Sequence, residues 1–161
     1  MAKKLQKTNA MRLLDQAKIP YTVREYPKDG PISAVDVAAY LGQSPDRVFK
    51  TLVTTDHANG YYVFCLPGDK ELDLKKGARL MGAKKIDMLR QKDLLGLTGY
   101  IHGGCSPVGM KKVFPTVVDE SANNFETIYV SAGKIGMQIE LAPQALETLL
   151  DAKFAAITKV E

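Results

Sequence analysis

The sequence predicts a mixed α/β or α+β domain built on a largely antiparallel or mixed sheet. Helical and strand patterns follow one another irregularly, and several strand candidates occur in succession late in the chain. The regular alternation of strands and helices that is typical of a doubly wound dinucleotide fold is not seen. A length of 161 residues suits one domain, so we expect a single domain over residues 1–161.

The first part of the chain predicts a helix, a strand and a second helix. TNAMRLLDQAKIP places apolar residues on one helical face, begins at Thr8 or Asn9 and stops before Pro20. YTVREY alternates like a short strand. ISAVDVAAYLG lies between Ser33 and Gly42, which are start and stop signals for a short helix.

The middle of the chain contains one ambiguous segment. In SPDRVFKTLV, Ser44 is a cap and Pro45 occupies a first helical position, but the later residues are equally typical of a strand. GYYVFCLP predicts a buried strand, and ELDLKKGARLMG a helix that begins at Asp73 and ends at Gly82. We expect a short strand in KKID and a further helix through MLRQKDLLG.

The last third of the chain is rich in strand signals. β-Branched and aromatic residues predict four strands, in TGYIHGG, FPTVVDE, ETIYVSAG and MQIELAP. Pro143 then opens a final helix, which we expect to span PQALETLLDAKFAAI.

Basic residues concentrate in the middle of the chain, although the formal net charge is only +4. Between residues 70 and 92, eight basic residues stand against three acidic ones, and Lys111 and Lys112 follow. A one-sided basic surface is typical of proteins that bind a polyanion such as RNA. Ordinary solvation of helix faces explains the same lysines equally well, so the charge alone leaves both interpretations open.

The cysteines and histidines do not form a metal-binding or disulfide pattern. Cys65 and Cys105 form no CxxC pair, and His57 and His102 are far apart in the sequence. We therefore expect no metal, no cofactor and a reducing, cytoplasmic location. The N-terminus has no apolar stretch behind its basic residues, and the uncharged run 94–110 is too short for a membrane span, so neither secretion nor a membrane is expected.

The segment GGCSPVG, residues 103–109, allows three interpretations. Cys105 is a nucleophile if a base such as His102 is brought to it, whereas Ser106 lacks the setting of a nucleophile elbow. The segment is equally readable as a tight turn. In the third interpretation, its free main-chain N–H groups hold a developing oxyanion, and a cation such as Lys50 helps to bind the substrate.

Four blocks of the sequence together carry a family resemblance. They are DRVFKTLV at 46–53, LDLKKGARLMGAKKIDM at 72–88, TGYIHGGCSPVGMKKVFPTVVDE at 98–120 and IYVSAGKIGMQIEL at 128–141. With them the chain resembles the freestanding aminoacyl-tRNA editing family related to the prolyl-tRNA synthetase insertion domain, and within it the YbaK-type Cys-tRNA(Pro) deacylases. The resemblance implies a central mixed, largely antiparallel sheet flanked by helices.

The resemblance also implies site residues. The essential lysine of the family matches Lys50, and its G-x-x-x-P motif is met by Gly103 and Pro107, which makes Cys105 an improbable nucleophile. The substrate-binding residues implied are Tyr26, Gly104, Cys105, Ser106, Ser131 and Gly133. Gln138 stands where some relatives have Asp, which puts a role for a carboxylate there in doubt.

The activity implied is removal of cysteine from mischarged tRNA(Pro), with prolyl-tRNA synthetase as a transient partner. In this family the substrate thiol is thought to attack its own ester, and attack by water is the competing mechanism. Two further functions stay open at this stage. In the first, the chain is a non-catalytic adaptor that binds tRNA or synthetase. In the second, it is a deacylase of the same fold that removes another amino acid, such as alanine.

Overall fold

The computed structural model describes residues 7–31 and 33–160. The expectation about an N-terminal signal concerns residues 1–6 and lies outside these ranges, as do residues 32 and 161 of the predicted domain. The helices are α1 (Asn9–Gln16), α2 (Ala34–Leu41), α3 (Leu74–Met81), α4 (Gln91–Thr98) and α5 (Gln144–Leu150). The strands are β1 (Thr22–Glu25), β2 (Phe49–Thr55), β3 (Tyr61–Pro67), β4 (Asp87–Met88), β5 (Thr116–Asp119), β6 (Ile128–Ser131), β7 (Met137–Leu141) and β8 (Lys153–Ala155).

The predicted caps define the ends of the early helices. The Thr8 hydroxyl accepts a hydrogen bond from the Met11 N–H at 3.3 Å, and α1 begins after it. The Ser33 hydroxyl caps α2 in the same way, and Gly42 ends that helix with a left-handed φ of 70°. Both predictions for SPDRVFKTLV are confirmed. A short 3₁₀ helix spans Pro45–Arg47, and the later residues of the segment form the start of β2.

Within the described residues, the strands form two sheets. One is antiparallel with the order β1-β7-β6, and the other is mixed with the order β4-β2-β3-β5-β8. In the second sheet, β4, β2 and β3 pair antiparallel, whereas β5 and β8 are parallel to their neighbours. The mixed α/β fold class is thus confirmed, with two sheets in place of one central sheet.

The main hydrophobic core lies between the two sheets. Buried side chains from both sheets contribute to it, together with one face of α1 and of α5; they include Phe49, Val63, Val118, Val130, Ile139, Met11, Leu14 and Leu146. The opposite face of the five-stranded sheet packs against α3, where Phe64 and Ile86 approach the helix closely at Gly77. The strand β2 is therefore covered by α3 on one face and by the main core on the other.

Two predicted elements are wrong. TGYIHGG forms turns, because Gly99 ends α4 in a left-handed conformation (φ 87°) and the Tyr100 hydroxyl donates a hydrogen bond to the Val108 oxygen at 2.7 Å. The last predicted helix stops at Leu150, because Asp151 adopts a φ of 54°. The following residues form β8, which pairs with β5. No helix within residues 7–31 and 33–160 is long and apolar enough to cross a membrane.

Candidate active site

A cavity of about 570 Å³ lies between the two sheets. Its walls are the start of α2, the strand β2, the ends of β6 and β7, and the segment after α4. The isolated parallel bridge between Val48 and Tyr129 joins the two sheets beside it. The cavity therefore lies where a strand of one sheet passes the edge of the other.

The cavity brings together side chains that are far apart in the sequence. Among the residues predicted for the site, those that line it are Tyr26, Lys50, Gly103, Cys105 and Ser131. The other predicted residues, Gly104, Ser106, Pro107 and Gly133, lie in the supporting loops. The sequence did not single out Asp36, Thr51 and Leu94 as lining residues, since nothing in their local patterns distinguishes them from ordinary helix and strand positions.

Lys50 is the cation of the cavity. It is half-buried on β2, and its Nζ donates a hydrogen bond to the main-chain oxygen of Gly68 at 3.3 Å. Burial lowers the pKa of the Lys50 ammonium, while the nearby carboxylates of Glu71 and Asp69 oppose that shift. An ammonium has three N–H donors, so this one hydrogen bond leaves donors for a ligand.

The segment 103–107 has one main-chain donor engaged and three without a partner among the described residues. Gly104 donates its N–H to the Ile101 oxygen at 3.0 Å. Among the described residues, the N–H groups of Gly103, Cys105 and Ser106 have no hydrogen-bond partner. Gly103 adopts a φ of 87°, which favours glycine. Gly103 and Cys105 line the cavity, so the segment can offer two main-chain donors there.

Gly104 is fixed by close packing on a neighbouring loop. A Cβ atom there would lie 2.9 Å from the nitrogen of Ile135 and 3.0 Å from the Cα of Lys134. Both contacts are with main chain, which cannot swing aside. Gly104 thus holds the segment against the β6–β7 turn.

Ser106 and Pro107 lie on the far side of the segment. The buried Ser106 hydroxyl accepts a hydrogen bond from the Val108 N–H at 3.2 Å. Pro107 is buried and lines a separate cavity of about 190 Å³, together with Leu13 and Phe114. The geometry gives both residues contacts that shape the turn rather than contacts with the main cavity.

The Cys105 thiol is neutral at physiological pH. Only 8% of the residue is exposed, and burial raises the pKa of the thiol to about 12, with a hydrogen bond to Thr98 opposing the shift. A thiol acts as a nucleophile through its thiolate, so this environment does not favour attack by Cys105. His102 lines the cavity as well, but it is exposed.

Ser131 and Gln138 face each other across β6 and β7. The Ser131 hydroxyl accepts a hydrogen bond from the Gly133 N–H at 3.2 Å, which connects Gly133 to the cavity wall. Gln138 also lines the cavity and is 6% exposed, and its Oε1 has no hydrogen-bond partner among the described residues. A buried carbonyl oxygen without a donor is costly, and this one lies at a wall open to a ligand.

No group of three His, Cys, Asp or Glu side chains comes together as metal ligands in the part of the chain that the structure describes. The exposed face of α3 carries Lys75 and Arg79, and α3 follows the loop that contains Gly68. The basic segment predicted from the sequence thus begins two residues after Gly68, a residue that lines the cavity.

Comparison with known proteins points in one direction. A family model described as the aminoacyl-tRNA editing domain matches residues 32–149. A protein of Enterococcus faecalis, provisionally named Cys-tRNA(Pro)/Cys-tRNA(Cys) deacylase EbsC, is 53% identical over 164 residues that span all of both chains. A proline–tRNA ligase of Pelobacter propionicus is 30% identical over 105 residues, which are 65% of this chain and 18% of the ligase.

The solved structures agree with the sequence comparisons. A crystal structure described, again provisionally, as a trans-editing enzyme for prolyl tRNA synthetase superposes with a TM-score of 0.83 at 25% identity. The match covers 97% of this chain and 100% of that one.

Proposed function

The chain belongs to the aminoacyl-tRNA editing domain family, and on that premise we propose that it is a trans-acting deacylase that removes cysteine from mischarged Cys-tRNA(Pro). The observation that carries the proposal is the cavity in which Lys50 lies with the segment 103–105. A cation and main-chain N–H donors are the groups that bind an ester next to phosphates and stabilise its tetrahedral intermediate.

The proposed roles follow from the free donors of the site. Lys50 binds the 3′ end of the tRNA with the N–H groups that Gly68 does not use. The N–H groups of Gly103 and Cys105 stabilise the oxyanion, and Gly104 positions the segment. Removal of one oxyanion donor typically lowers the rate by about 100-fold or more.

We propose that the nucleophile belongs to the substrate. The thiol of the esterified cysteine attacks its own carbonyl carbon, a C–S bond forms, and the C–O bond to the tRNA ribose breaks. The thiol proton goes to the leaving ribose oxygen, and the products are a cyclic thiolactone and uncharged tRNA. The raised pKa of Cys105 supports this assignment over a covalent enzyme intermediate. A water molecule bound by Lys50 and the segment is the competing nucleophile.

Prolyl-tRNA synthetase is the proposed transient partner, in the cytoplasm. The kinship with prolyl–tRNA ligases supports this choice, because their matching segments are parts of the synthetase itself. If the synthetase supplies the selection among tRNAs, its addition should accelerate deacylation of Cys-tRNA(Pro). Equal rates with and without synthetase would remove it from the mechanism.

The test is a deacylation time course on Cys-tRNA(Pro) and Ala-tRNA(Pro), with analysis of the products. Cysteine-selective loss with trapped thiolactone supports the substrate-thiol mechanism. Loss of both substrates with release of free amino acid indicates water as nucleophile and a wider specificity that includes alanine. If neither substrate is deacylated while tRNA still binds, the chain is a non-catalytic adaptor and the proposal is wrong.

A further inference from the structure

One wall of the cavity is an edge of β2. Five consecutive residues, 48–52, line the cavity there, and the last four of them belong to β2. Side chains of neighbouring strand residues point to opposite faces of a sheet, so five lining residues in a row indicate a cavity that runs along the strand edge. The other edge of β2 pairs with β3 along its whole length. The cavity therefore borders the edge that is turned away from β3.

The direction of the main-chain groups singles out Thr51. On the edge away from β3, the Val53 oxygen accepts a hydrogen bond from the Leu89 N–H at 2.9 Å. In an antiparallel strand, residues two apart turn their N–H and C=O groups to the same edge. Thr51 therefore turns both groups toward the cavity, whereas Lys50 and Leu52 turn theirs toward β3.

Thr51 lies in a short uncovered interval of this edge. On one side, the bridge between Val48 and Tyr129 connects the strand to the three-stranded sheet. On the other side, pairing with β4 begins at Thr54, opposite Met88. Across this edge, no residue within 7–31 and 33–160 hydrogen-bonds to the N–H or C=O of Thr51. This edge of β2 thus offers the cavity one main-chain donor and one acceptor, side by side and unused by the described residues.

We propose that Thr51 binds the aminoacyl group of the substrate through its main chain, as a β-bridge of a single residue; this inference rests on the proposed function. The substrate's α-ammonium donates a hydrogen bond to the Thr51 oxygen, and the ester carbonyl accepts one from the Thr51 N–H. The occupant is a single α-aminoacyl ester.

The length and spacing of the open edge fit this occupant. An α-aminoacyl ester carries a donor on its α-nitrogen and an acceptor on its carbonyl oxygen, which are the groups of one strand residue. Two residues that exchange both hydrogen bonds in an antiparallel pair have Cα atoms about 5.5 Å apart. A peptide that adds a strand needs several open positions in a row, and the pairing on either side of Thr51 closes them.

This arrangement separates two kinds of recognition. Main-chain contacts at Thr51 read the α-amino acid backbone, which every aminoacyl-tRNA shares. Selection of cysteine must then come from the rest of the cavity or from the substrate thiol. The Thr51 N–H also fixes the orientation of the ester carbonyl, so we assign Thr51 as a substrate-binding residue.

The experiment removes the single N–H and keeps the side chain constant. The reference protein is Thr51→Val, and the test protein carries α-hydroxyisovaleric acid at position 51, so that an oxygen replaces the N–H in an otherwise equal chain. We measure kcat and KM on Cys-tRNA(Pro) and the melting temperature of both proteins. We also follow the Thr51 amide of the native protein by NMR during titration with the amide-linked analogue 3′-cysteinylamino-3′-deoxyadenosine.

The expected result is a fall in kcat/KM of about tenfold or more in the ester protein, which corresponds to about 1.4 kcal/mol. Its melting temperature should lie only slightly below that of Thr51→Val, because the N–H has no partner within the fold and the ester only weakens the Lys50 oxygen, which faces β3, as an acceptor. The analogue should shift the Thr51 amide resonance and slow its hydrogen exchange.

The inference would be overturned if kcat/KM were equal in the two proteins, or if the analogue left the Thr51 amide resonance and its hydrogen exchange unchanged. In either case, deacylation by the native protein would still support the proposed function. A native protein without deacylase activity would remove both the proposed function and the inference.

Discussion

The Nζ of Lys50 donates a hydrogen bond to the main-chain oxygen of Gly68 at 3.3 Å, across the end of the β2–β3 hairpin. This contact holds a half-buried ammonium at the cavity wall while the other two N–H groups stay available. Burial of this charge is unfavourable for folding, but it places the ammonium where it can bind the substrate.

Lys50→Met should separate activity from stability. We expect deacylation of Cys-tRNA(Pro) to fall at least about 100-fold, the scale of one lost electrostatic contact in a transition state. The free energy of unfolding at neutral pH should stay equal or rise, because the variant removes a charge that burial disfavours. Urea unfolding and the deacylation assay measure both. Lys153→Ala, on the exposed end of β8, is the control; an active Lys50→Met variant would contradict the assignment.

The pH dependence of the wild-type protein follows from the same group. The folded-state pKa of Lys50 lies below the ordinary value of 10.5, so Lys50 loses its proton at a lower pH in the folded protein than in the unfolded chain. The unfolded state then binds more protons between these two pKa values, and stability contributed by this group rises with pH through that window. Deacylation that needs the ammonium should fall over the start of the same window. A rate that keeps rising there, after subtraction of spontaneous hydrolysis, would exclude an essential ammonium.

Cys105→Ala should retain most of the deacylase activity. The thiol is buried and its pKa is raised to about 12, so little thiolate is present at neutral pH. The variant loses one sulfur atom from the core and should be destabilised by about 1 kcal/mol. Initial rates on Cys-tRNA(Pro) are the measurement. Near-complete loss of activity in a folded variant would restore Cys105 as a covalent nucleophile.

Gly104→Ala and Gly96→Ala form a matched pair. A Cβ at Gly104 meets the main chain of Ile135 and Lys134, so the segment 103–107 must move, and both activity and stability should fall. Gly96 lies in α4 with nothing within 4 Å of such a Cβ, so the same change there should stabilise the helix by about 0.5–1 kcal/mol. Thermal unfolding and initial rates measure the pair. An unchanged rate in Gly104→Ala would mean that the position of the segment does not matter for catalysis.

Removing charge from the exposed face of α3 should weaken tRNA binding. Lys75 and Arg79 lie one helical turn apart on that face. If both contact phosphates, the double variant Lys75→Ala/Arg79→Ala should reduce the magnitude of the slope of log K against log salt by about 1.4 to 1.8. Binding titrations at several salt concentrations measure the slope. An unchanged slope would place the tRNA on another surface.

Local signals in the sequence predicted the elements that local chemistry determines. The caps at Thr8 and Ser33 and the stop at Gly42 act within one turn of helix, and the structure has each of them. Lys50 and Gly103 were singled out by the family resemblance, and the cavity brings both together.

The errors arose where distant partners decide the conformation. Residues 153–155 continue a helical pattern, but they form a strand because β5 offers a parallel edge. The aromatic and β-branched residues in TGYIHGG suggest a strand, but the Tyr100 hydroxyl instead bonds to Val108 in a turn. The role inferred for Thr51 and the unpartnered Oε1 of Gln138 depend on pairing and burial between the two sheets, which no local pattern encodes.

The pairing of β1 with β7 has a consequence for the order of folding. Thr22 lies opposite Glu140, so this sheet joins segments that are separated by most of the chain. During synthesis on a ribosome, β1 can pair with its neighbour only after β7 has been synthesised. Tyr26 and Gln138, which line the cavity, are brought together only at that step. The nascent chain therefore has no complete site until β7 has been synthesised.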